Sequence, residues 1–302
     1  MNKFLMRRIT QTVVLTTFAG AGITTAQAAD TVIRSGDIAA TISDAGYFSS
    51  STELGLSFRG NEFVNAGTFQ SWYQLNAPGV SGTPFVAEQS SNSNPLGASA
   101  SSTGVGTAIV SGGTSGLNFS QTISIPSASQ LAVAVTLTNN TGHAINNVQW
   151  GVGMDPDQDS LTHGDPSTIN TIAGLGNDAA VSATGRYSGY TVTLENTTPD
   201  SGFNVAAFID SGNCCNAVNP ADALAAAQGS GFNTVSDDSI SLAYDLGTIA
   251  AGETASFSYA YNMSVVPVTP PITPSIPEPE TYAMLLAGLG LVGFMTRRRK
   301  TA

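Results

Sequence analysis

Apolar and polar residues alternate along much of the chain between residues 30 and 265, and this two-residue period constrains the fold more than any other feature. The longest such segments are LAVAVTLT, which begins at Leu131, and ASFSYAYNMSV, which begins at Ala255. LNFSQTISI, NVQWGVGM and YTVTLE show the same period. Because successive side chains of a strand point to opposite faces, these segments predict strands with one buried face.

Polar turn sequences such as NNTGH and AAGE separate the predicted strands. Only PADALAAAQ, at residues 220–228, predicts a helix, with a proline in its first turn. The polar segment at residues 90–106, SSNSNPLGASASSTGVG, is expected to be a long loop. We therefore predict an all-β fold: a single antiparallel β-sandwich or jelly-roll domain over residues 29–265 with one short helix.

Two segments of this region, VTLTNNTGHAINNV and LGTIAAGETASFSYAY, resemble the strand-turn-strand edges of bacterial Ig-like sandwich modules found on cell surfaces. The resemblance agrees with a sandwich and implies nothing about chemistry.

The predicted domain is strongly acidic. From Asp30 to Glu253 it carries 19 acidic residues against three arginines and no lysine, a net charge of −16. Such a charge repels nucleic acids and anionic membrane surfaces and attracts cations. Nucleic-acid binding is therefore excluded.

The first 28 residues have the three parts of a secretory signal peptide. Lys3 and Arg7–Arg8 form a charged start, Val13–Ile23 is a modest apolar segment, and Ala26 and Ala28 form a small-x-small cleavage site. This order predicts export from the cytoplasm and removal of the segment.

The end of the chain has a different composition. Residues 266–280 form a proline-rich linker, which favours an extended spacer. Residues 281–296 contain the apolar run YAMLLAGLGLVGFM, and we predict a transmembrane helix there. Its 14 apolar residues would cover about 21 Å, against a hydrocarbon core of about 30 Å. With Tyr282 at one interface and the arginines extending to the other, the segment can span the membrane. The tail at residues 297–302, which begins with four basic residues, is expected in the cytoplasm.

The segment IPEPETYAMLLAGLGLVGFMTRRRK resembles the PEP-CTERM sorting signal of Gram-negative bacteria over its whole length. The resemblance implies that a membrane-embedded exosortase recognises the motif and removes the tail, so that the inner membrane holds the chain only transiently. It also implies delivery to the cell surface or to an extracellular exopolysaccharide matrix. The residues of this signal are Pro277, Glu278, Pro279, Arg297, Arg298 and Arg299.

The segment MDPDQDSLTHGDPS is the most distinctive candidate site. Its alternating carboxylates resemble the first half of an EF-hand loop, but Ser160 stands where that loop needs glycine and Pro166 where it needs glutamate. We predict a calcium site outside the EF-hand pattern. Its candidate ligands are Asp155, Asp157, Asp159 and Asp165.

Two alternatives remain open for these acids: a solvated turn without a ligand, and catalytic carboxylates. His163 lies in the same segment and is either a base, a metal ligand or an ordinary loop residue. The pairing of Asp155 with Asp237 or Asp238 would suit glycoside hydrolysis.

The chain has two cysteines, Cys214 and Cys215, and they are adjacent. An oxidising compartment allows a disulfide between them, a disulfide to another molecule, or two free thiols. The sequence does not distinguish the three states.

Serine-hydrolase, zinc-peptidase and phosphate-loop motifs are missing from the sequence. Trp72, Tyr73, Trp150 and Tyr47 could form a sugar-stacking platform, but packing in the core is the favoured prediction for them. We expect a non-catalytic cell-surface or matrix protein that associates with exopolysaccharide and is stabilised by calcium. The alternative is a secreted glycan-active hydrolase or lyase that uses the acidic-segment carboxylates.

Overall fold

The computed structural model describes residues 30–48, 54–65, 67, 70–198, 202–226, 228–268 and 284–289. The predicted signal peptide with Ala26 and Ala28, the Pro-Glu-Pro motif and the basic tail lie outside these residues. A helix at 284–289 falls within the predicted sorting helix, whose other residues are not described. Within the described ranges, none of the helices has the length and apolar character needed to cross a membrane.

Eighteen strands run through the described residues, and every pairing between them is antiparallel. In chain order they are β1 Thr31–Ser35, β2 Ile38–Ile42, β3 Leu56–Phe58, β4 Asn61–Glu62, β5 Ser71–Asn76, β6 Phe85–Glu88, β7 Ser99–Gly104, β8 Thr107–Thr114, β9 Leu117–Ser127, β10 Gln130–Asn139, β11 Ile145–Met154, β12 Thr168–Gly174, β13 Ala180–Gly185, β14 Tyr190–Asn196, β15 Asn204–Asp210, β16 Asn233–Ser236, β17 Ser239–Ile249 and β18 Thr254–Val265. The helices within this region are α1 Ser160–His163, a 3-10 turn at Gly176–Asp178, and α2 Pro220–Ala225.

The strands form three sheets. A nine-stranded sheet has the order β16-β12-β13-β14-β18-β10-β9-β8-β7, and a five-stranded sheet has the order β15-β17-β11-β5-β6. The N-terminal strands make a four-stranded sheet in the order β1-β2-β3-β4. The all-β, antiparallel prediction is confirmed.

The alternating segments of the sequence form the centre of the nine-stranded sheet. On β10, Val133 and Val135 lie opposite Tyr259 and Phe257 of β18, and all four side chains are buried. The intervening residues of both strands point to the other face, where most are partly or fully exposed. The period of two therefore specifies which face of this sheet joins the core.

Aromatic side chains join the five-stranded sheet to the nine-stranded sheet. The Trp150 indole of β11 stacks on Tyr73 of β5, with ring centroids 4.9 Å apart and planes at 7°. The same indole lies 5.9 Å from Phe119 of β9 and 5.9 Å from Phe257 of β18. Such contacts add to the stability that burial of these large side chains supplies.

The outer face of the five-stranded sheet is also covered. Trp72 points to this face, opposite to its neighbour Tyr73, and packs with Val218, Ala223 and Ala243. Helix α2, which was predicted, forms part of this cover. Its first turn holds Pro220, and the Asn219 side chain accepts the N–H of Ala221 at 3.0 Å.

The prediction of a loop over residues 90–106 is wrong in part. Ser99–Gly104 form β7, an edge strand of the nine-stranded sheet. Its residues are small and mostly exposed. The strand lies at the edge of the sheet, where it is held by its hydrogen bonds to β8 rather than by burial of apolar side chains. Polar composition without an apolar period therefore concealed a strand.

Candidate functional site

The acidic segment leaves the end of β11 and crosses the end of the five-stranded sheet. The Asp155 N–H donates to the Gln70 carbonyl at 2.9 Å, and the Asp157 N–H donates to the Phe63 carbonyl at 2.9 Å. Asp155, Asp157 and Asp159 are each 1% exposed. These side chains are buried, unlike those of a solvated turn.

A second pair of acids reaches the same place from a distant part of the chain. Asp237 and Asp238 connect β16 to β17, and one carboxylate oxygen each of Asp155, Asp157 and Asp237 lie within 4.8 Å of one another. We call these three residues the acidic cluster. Asp238 is buried beside it, and its Oδ1 accepts the Gly212 N–H at 2.7 Å.

The electrostatics of the cluster oppose ionisation. Burial, reinforced by the charges of Asp157, Asp237 and Asp238, raises the pKa of Asp155 to about 9. Burial and the charges of Asp238 and Asp165 also raise the pKa of Asp237. Among the described residues, neither carboxylate oxygen of Asp155 has a hydrogen-bond partner. A buried carboxylate without donors is a costly arrangement for the protein alone.

The structure separates the other two predicted ligands from this cluster. Asp159 accepts the N–H groups of Tyr187 and Ser188 at 2.8 and 3.2 Å, in the turn between β13 and β14. Asp165 accepts from the Arg186 guanidinium at 2.8 Å and from the Ser167 N–H at 2.9 Å. Although burial opposes ionisation of Asp165, these hydrogen bonds and the arginine charge lower its pKa.

His163 lies with this second group. Its Nδ1 is 3.8 Å from Asp159 Oδ1, and its exposed ring stacks on Tyr187 with centroids 5.0 Å apart. The sets of possible ligand atoms found within 4.8 Å of one another among the described residues do not include it. The four predicted ligands therefore divide, with Asp155 and Asp157 in the acidic cluster and Asp159 and Asp165 fixed to the 185–188 turn.

The two cysteines form a vicinal disulfide in the loop after β15. Their sulfur atoms and a carboxylate oxygen of Asp155 lie within 4.8 Å of one another. The loop is attached to the β16–β17 turn by the Gly212 bond to Asp238 and by the Ser239 N–H, which donates to the Asn213 carbonyl at 3.1 Å. The disulfide loop thus lies against the acidic cluster.

The aromatic residues considered for sugar stacking are buried. Trp72, Tyr73, Trp150 and Tyr47 are each exposed by 4% or less. A cavity of about 20 Å³ lies beside Tyr47 and Tyr73, which is room for a single water molecule rather than a sugar. These four side chains belong to the packing of the fold.

Residues 275–300 match the family of the PEP-CTERM protein-sorting motif. The chain carries this motif, which marks an exported, envelope-associated protein that exosortase processes. The match covers the tail and not the β-rich body. No curated protein matches the chain.

Solved structures resemble the body at low scores. A heparan sulfate lyase HepC mutant from Pedobacter heparinus has a TM-score of 0.44 at 10% identity, covering 81% of this chain and 36% of the lyase. A heparinase III, the BT4657 gene product, has a TM-score of 0.39 at 9% identity, covering 79% and 34%. The chain spans about a third of the length of these proteins, and likeness at this level carries no argument about activity.

Proposed function

We propose that this protein is a non-catalytic component of the cell surface or extracellular matrix that associates with exopolysaccharide after export and exosortase processing. The observation that carries the proposal is the PEP-CTERM motif at residues 275–300, attached to an acidic β-sandwich. Such a motif directs a body to the envelope, and a stable sandwich suits a structural role there.

Burial of the acids supports a non-catalytic role. Glycoside hydrolysis needs two carboxyl groups that flank the scissile bond, usually about 5–9.5 Å apart. Asp155 and Asp157 are each 1% exposed, and the oxygens of the acidic cluster that approach one another lie within 4.8 Å. Carboxylates buried to this degree are closed to a sugar in this conformation.

The charge of the body restricts how it can hold a polysaccharide. The region from Asp30 to Glu253 has a net charge of −16, so it repels an acidic polymer unless cations lie between them. We therefore expect association with a neutral polymer to be independent of salt. Association with an acidic polymer should require divalent cations.

The test uses protein produced from the full chain in a host with exosortase. It is mixed with the host's exopolysaccharide in calcium, and the sedimented fraction is measured together with new reducing ends and unsaturated sugar products in the same tube. Sedimentation without new ends is the expected result. Absence of sedimentation would contradict matrix association, and new ends that disappear in Asp237→Asn would identify a glycan-active enzyme.

A further inference from the structure

Two arginines of the body form ion pairs outside the acidic cluster. Arg59 pairs with Asp37 at 2.8 Å, and Arg186 pairs with Asp165 at 2.8 Å. Asp155 is influenced by Asp157, Asp237 and Asp238, all of the same sign. Like charges at this distance inside a protein strongly oppose one another, so the arrangement favours an added cation.

Some buried carboxylate oxygens in the acidic cluster and next to it accept no hydrogen bond from the described residues. Both oxygens of Asp155 and the Oδ2 of Asp238 are buried and have no hydrogen-bond partner among the described residues. Proteins rarely leave buried polar atoms unsatisfied, since each such atom loses its hydrogen bonds to water without gaining others. These atoms are oxygen donors that a ligand would satisfy.

The spacing suits one hard cation. Calcium takes six to eight oxygen ligands at about 2.3–2.6 Å, so oxygens on opposite sides of the ion lie up to about 5 Å apart. The three carboxylate oxygens of the cluster lie within 4.8 Å of one another. The neighbouring sulfurs are joined as a disulfide, and a thiolate rather than a disulfide is the soft-metal ligand.

We propose that Asp155, Asp157 and Asp237 bind one calcium ion beneath the Cys214–Cys215 loop. This ligand set differs from the one predicted from the acidic segment, because it leaves out Asp159 and Asp165. These two residues already accept hydrogen bonds from the 185–188 turn and from Ser167. The ion joins the end of β11 to the start of β17 and so fastens the five-stranded sheet at this end. The site is independent of the matrix association proposed above.

The test measures binding and stability in the same preparation, the secreted protein produced from the full chain and freed of metal with a chelating resin. Calorimetric titration with calcium should give one site per chain. At 100 times the dissociation constant, calcium should raise the melting temperature by about 5–10 °C. Magnesium at the same concentration should give a smaller rise, since it demands a tighter octahedral shell.

Three variants assign the ligands. Asp155→Asn and Asp237→Asn should each lower calcium affinity at least tenfold and remove most of the temperature rise. Asp178→Asn is the matched control, because it makes the same charge change at an exposed residue and should leave the rise intact. Without metal, Asp155→Asn should melt at or above the wild-type temperature, because it removes a carboxyl group whose burial without a hydrogen-bond donor among the described residues is unfavourable.

The outcomes separate clearly. The proposal is overturned if calcium leaves the wild-type melting temperature unchanged, or if both cluster variants keep the full rise. If calcium fails to raise the melting temperature of Asp159→Asn and Asp165→Asn but still raises that of the cluster variants, the ligands are those predicted from the acidic segment. An equal rise with magnesium would overturn the assignment to calcium. Should Asp155→Asn fail to fold, the partly exposed Asp237→Asn decides the matter.

Discussion

Carboxylate oxygens of Asp155 and Asp237 lie within 4.8 Å of each other, although one residue follows β11 and the other precedes β17. The antiparallel register explains this meeting. Met154, the last residue of β11, lies opposite Ile240 near the start of β17. The residue after the first strand and the residues before the second therefore leave the sheet at the same end. Strand pairing, rather than loop sequence, assembles the cluster.

The metal-free protein should become less stable as the pH rises from 5 to 9. The pKa of Asp155 is about 9 in the folded chain, against about 3.9 in the unfolded chain. The stability that this residue contributes is therefore fully present below pH about 3.9 and is lost as the pH rises to about 9. Asp237 acts in the same direction. Melting temperatures of resin-treated protein across this range would measure the effect.

The control for that experiment is Asp155→Asn, whose melting temperature should depend less on pH. The variant keeps both histidines, so any pH dependence that they cause is common to the two proteins. Asp165 has a lowered pKa and contributes in the opposite sense, but its loss falls at pH values below about 4 and so outside the range. Calcium should flatten the wild-type profile. A wild-type profile that is already flat, or that rises with pH, would contradict the raised pKa of Asp155.

Strong periodicity let the sequence predict most of the central sheet. Segments such as LAVAVTLT and ASFSYAYNMSV became β10 and β18 because their apolar period matches a face that is buried. Strand β7 was missed because its serine- and alanine-rich edge has no such period. Core packing was the favoured prediction for Trp72 and Tyr73, but the sequence did not show how two neighbouring strand residues can both be buried. Their burial depends on a second layer that α2 and Val218 place over the outer face.

The sequence placed only part of the acidic cluster in one candidate site. The alternating aspartates put Asp155 and Asp157 among the predicted ligands, and Asp237 was considered only as a partner of Asp155 in hydrolysis. The grouping depends on the β11–β17 register and on the 185–188 turn, which takes Asp159 away from the cluster. Contacts between residues far apart in the sequence cannot be read from a short segment. The spacing of the aspartates therefore led to a ligand set drawn from the acidic segment alone.

Glu62→Gln should lower the free energy of unfolding by about 2–4 kcal/mol. The Glu62 side chain is buried and accepts five backbone N–H groups, of which the Val64 N–H makes the shortest bond, 2.7 Å to Glu62 Oε1. A glutamine of the same shape offers one oxygen, so with that oxygen at the Oε1 position its NH2 group faces the Gly55 N–H, which then loses its acceptor. Chemical denaturation of the two proteins measures the loss. Glu253→Gln, at an exposed turn, should change stability little, and equal losses in both would show that Glu62 has no special role.

Gly153→Ala should destabilise the protein by about 1–3 kcal/mol, because an added methyl overlaps the Trp72 indole and the Ile240 carbonyl. The five-stranded sheet uses this glycine to let a large ring lie flat on its outer face. Tryptophan fluorescence and thermal melting would report the disturbance. Gly82→Ala, where a methyl meets no atom within 4 Å, is the matched control. A double variant with Trp72→Leu should lose less than the sum of the two, and strict additivity would contradict direct contact.

Replacing both cysteines by serine should weaken calcium binding several-fold while changing the metal-free melting temperature little. A disulfide between neighbours closes a very short loop, so it removes little entropy from the unfolded chain and acts mainly on local backbone. That backbone carries the Gly212 and Asn213 contacts to the β16–β17 turn. Calorimetric titration compares the variant with wild type in the same buffer. Unchanged affinity would show that the loop does not take part in forming the site.

The secreted protein should lack both ends of the chain. In a host with exosortase, the mature product should begin near Ala29 and should lack Arg297, Arg298 and Arg299, because the PEP-CTERM motif at residues 275–300 is removed with its apolar segment. Intact-mass and terminal-peptide mass spectrometry would establish both ends. Glu278→Ala should leave the tail in place and hold the protein in the membrane fraction, whereas Pro271→Ala, in the spacer before the motif, should be processed normally. A mature product that still contains Arg297 would contradict exosortase processing. The body would then be held at the inner membrane by an uncleaved tail, away from the polysaccharide that the proposed function requires it to meet.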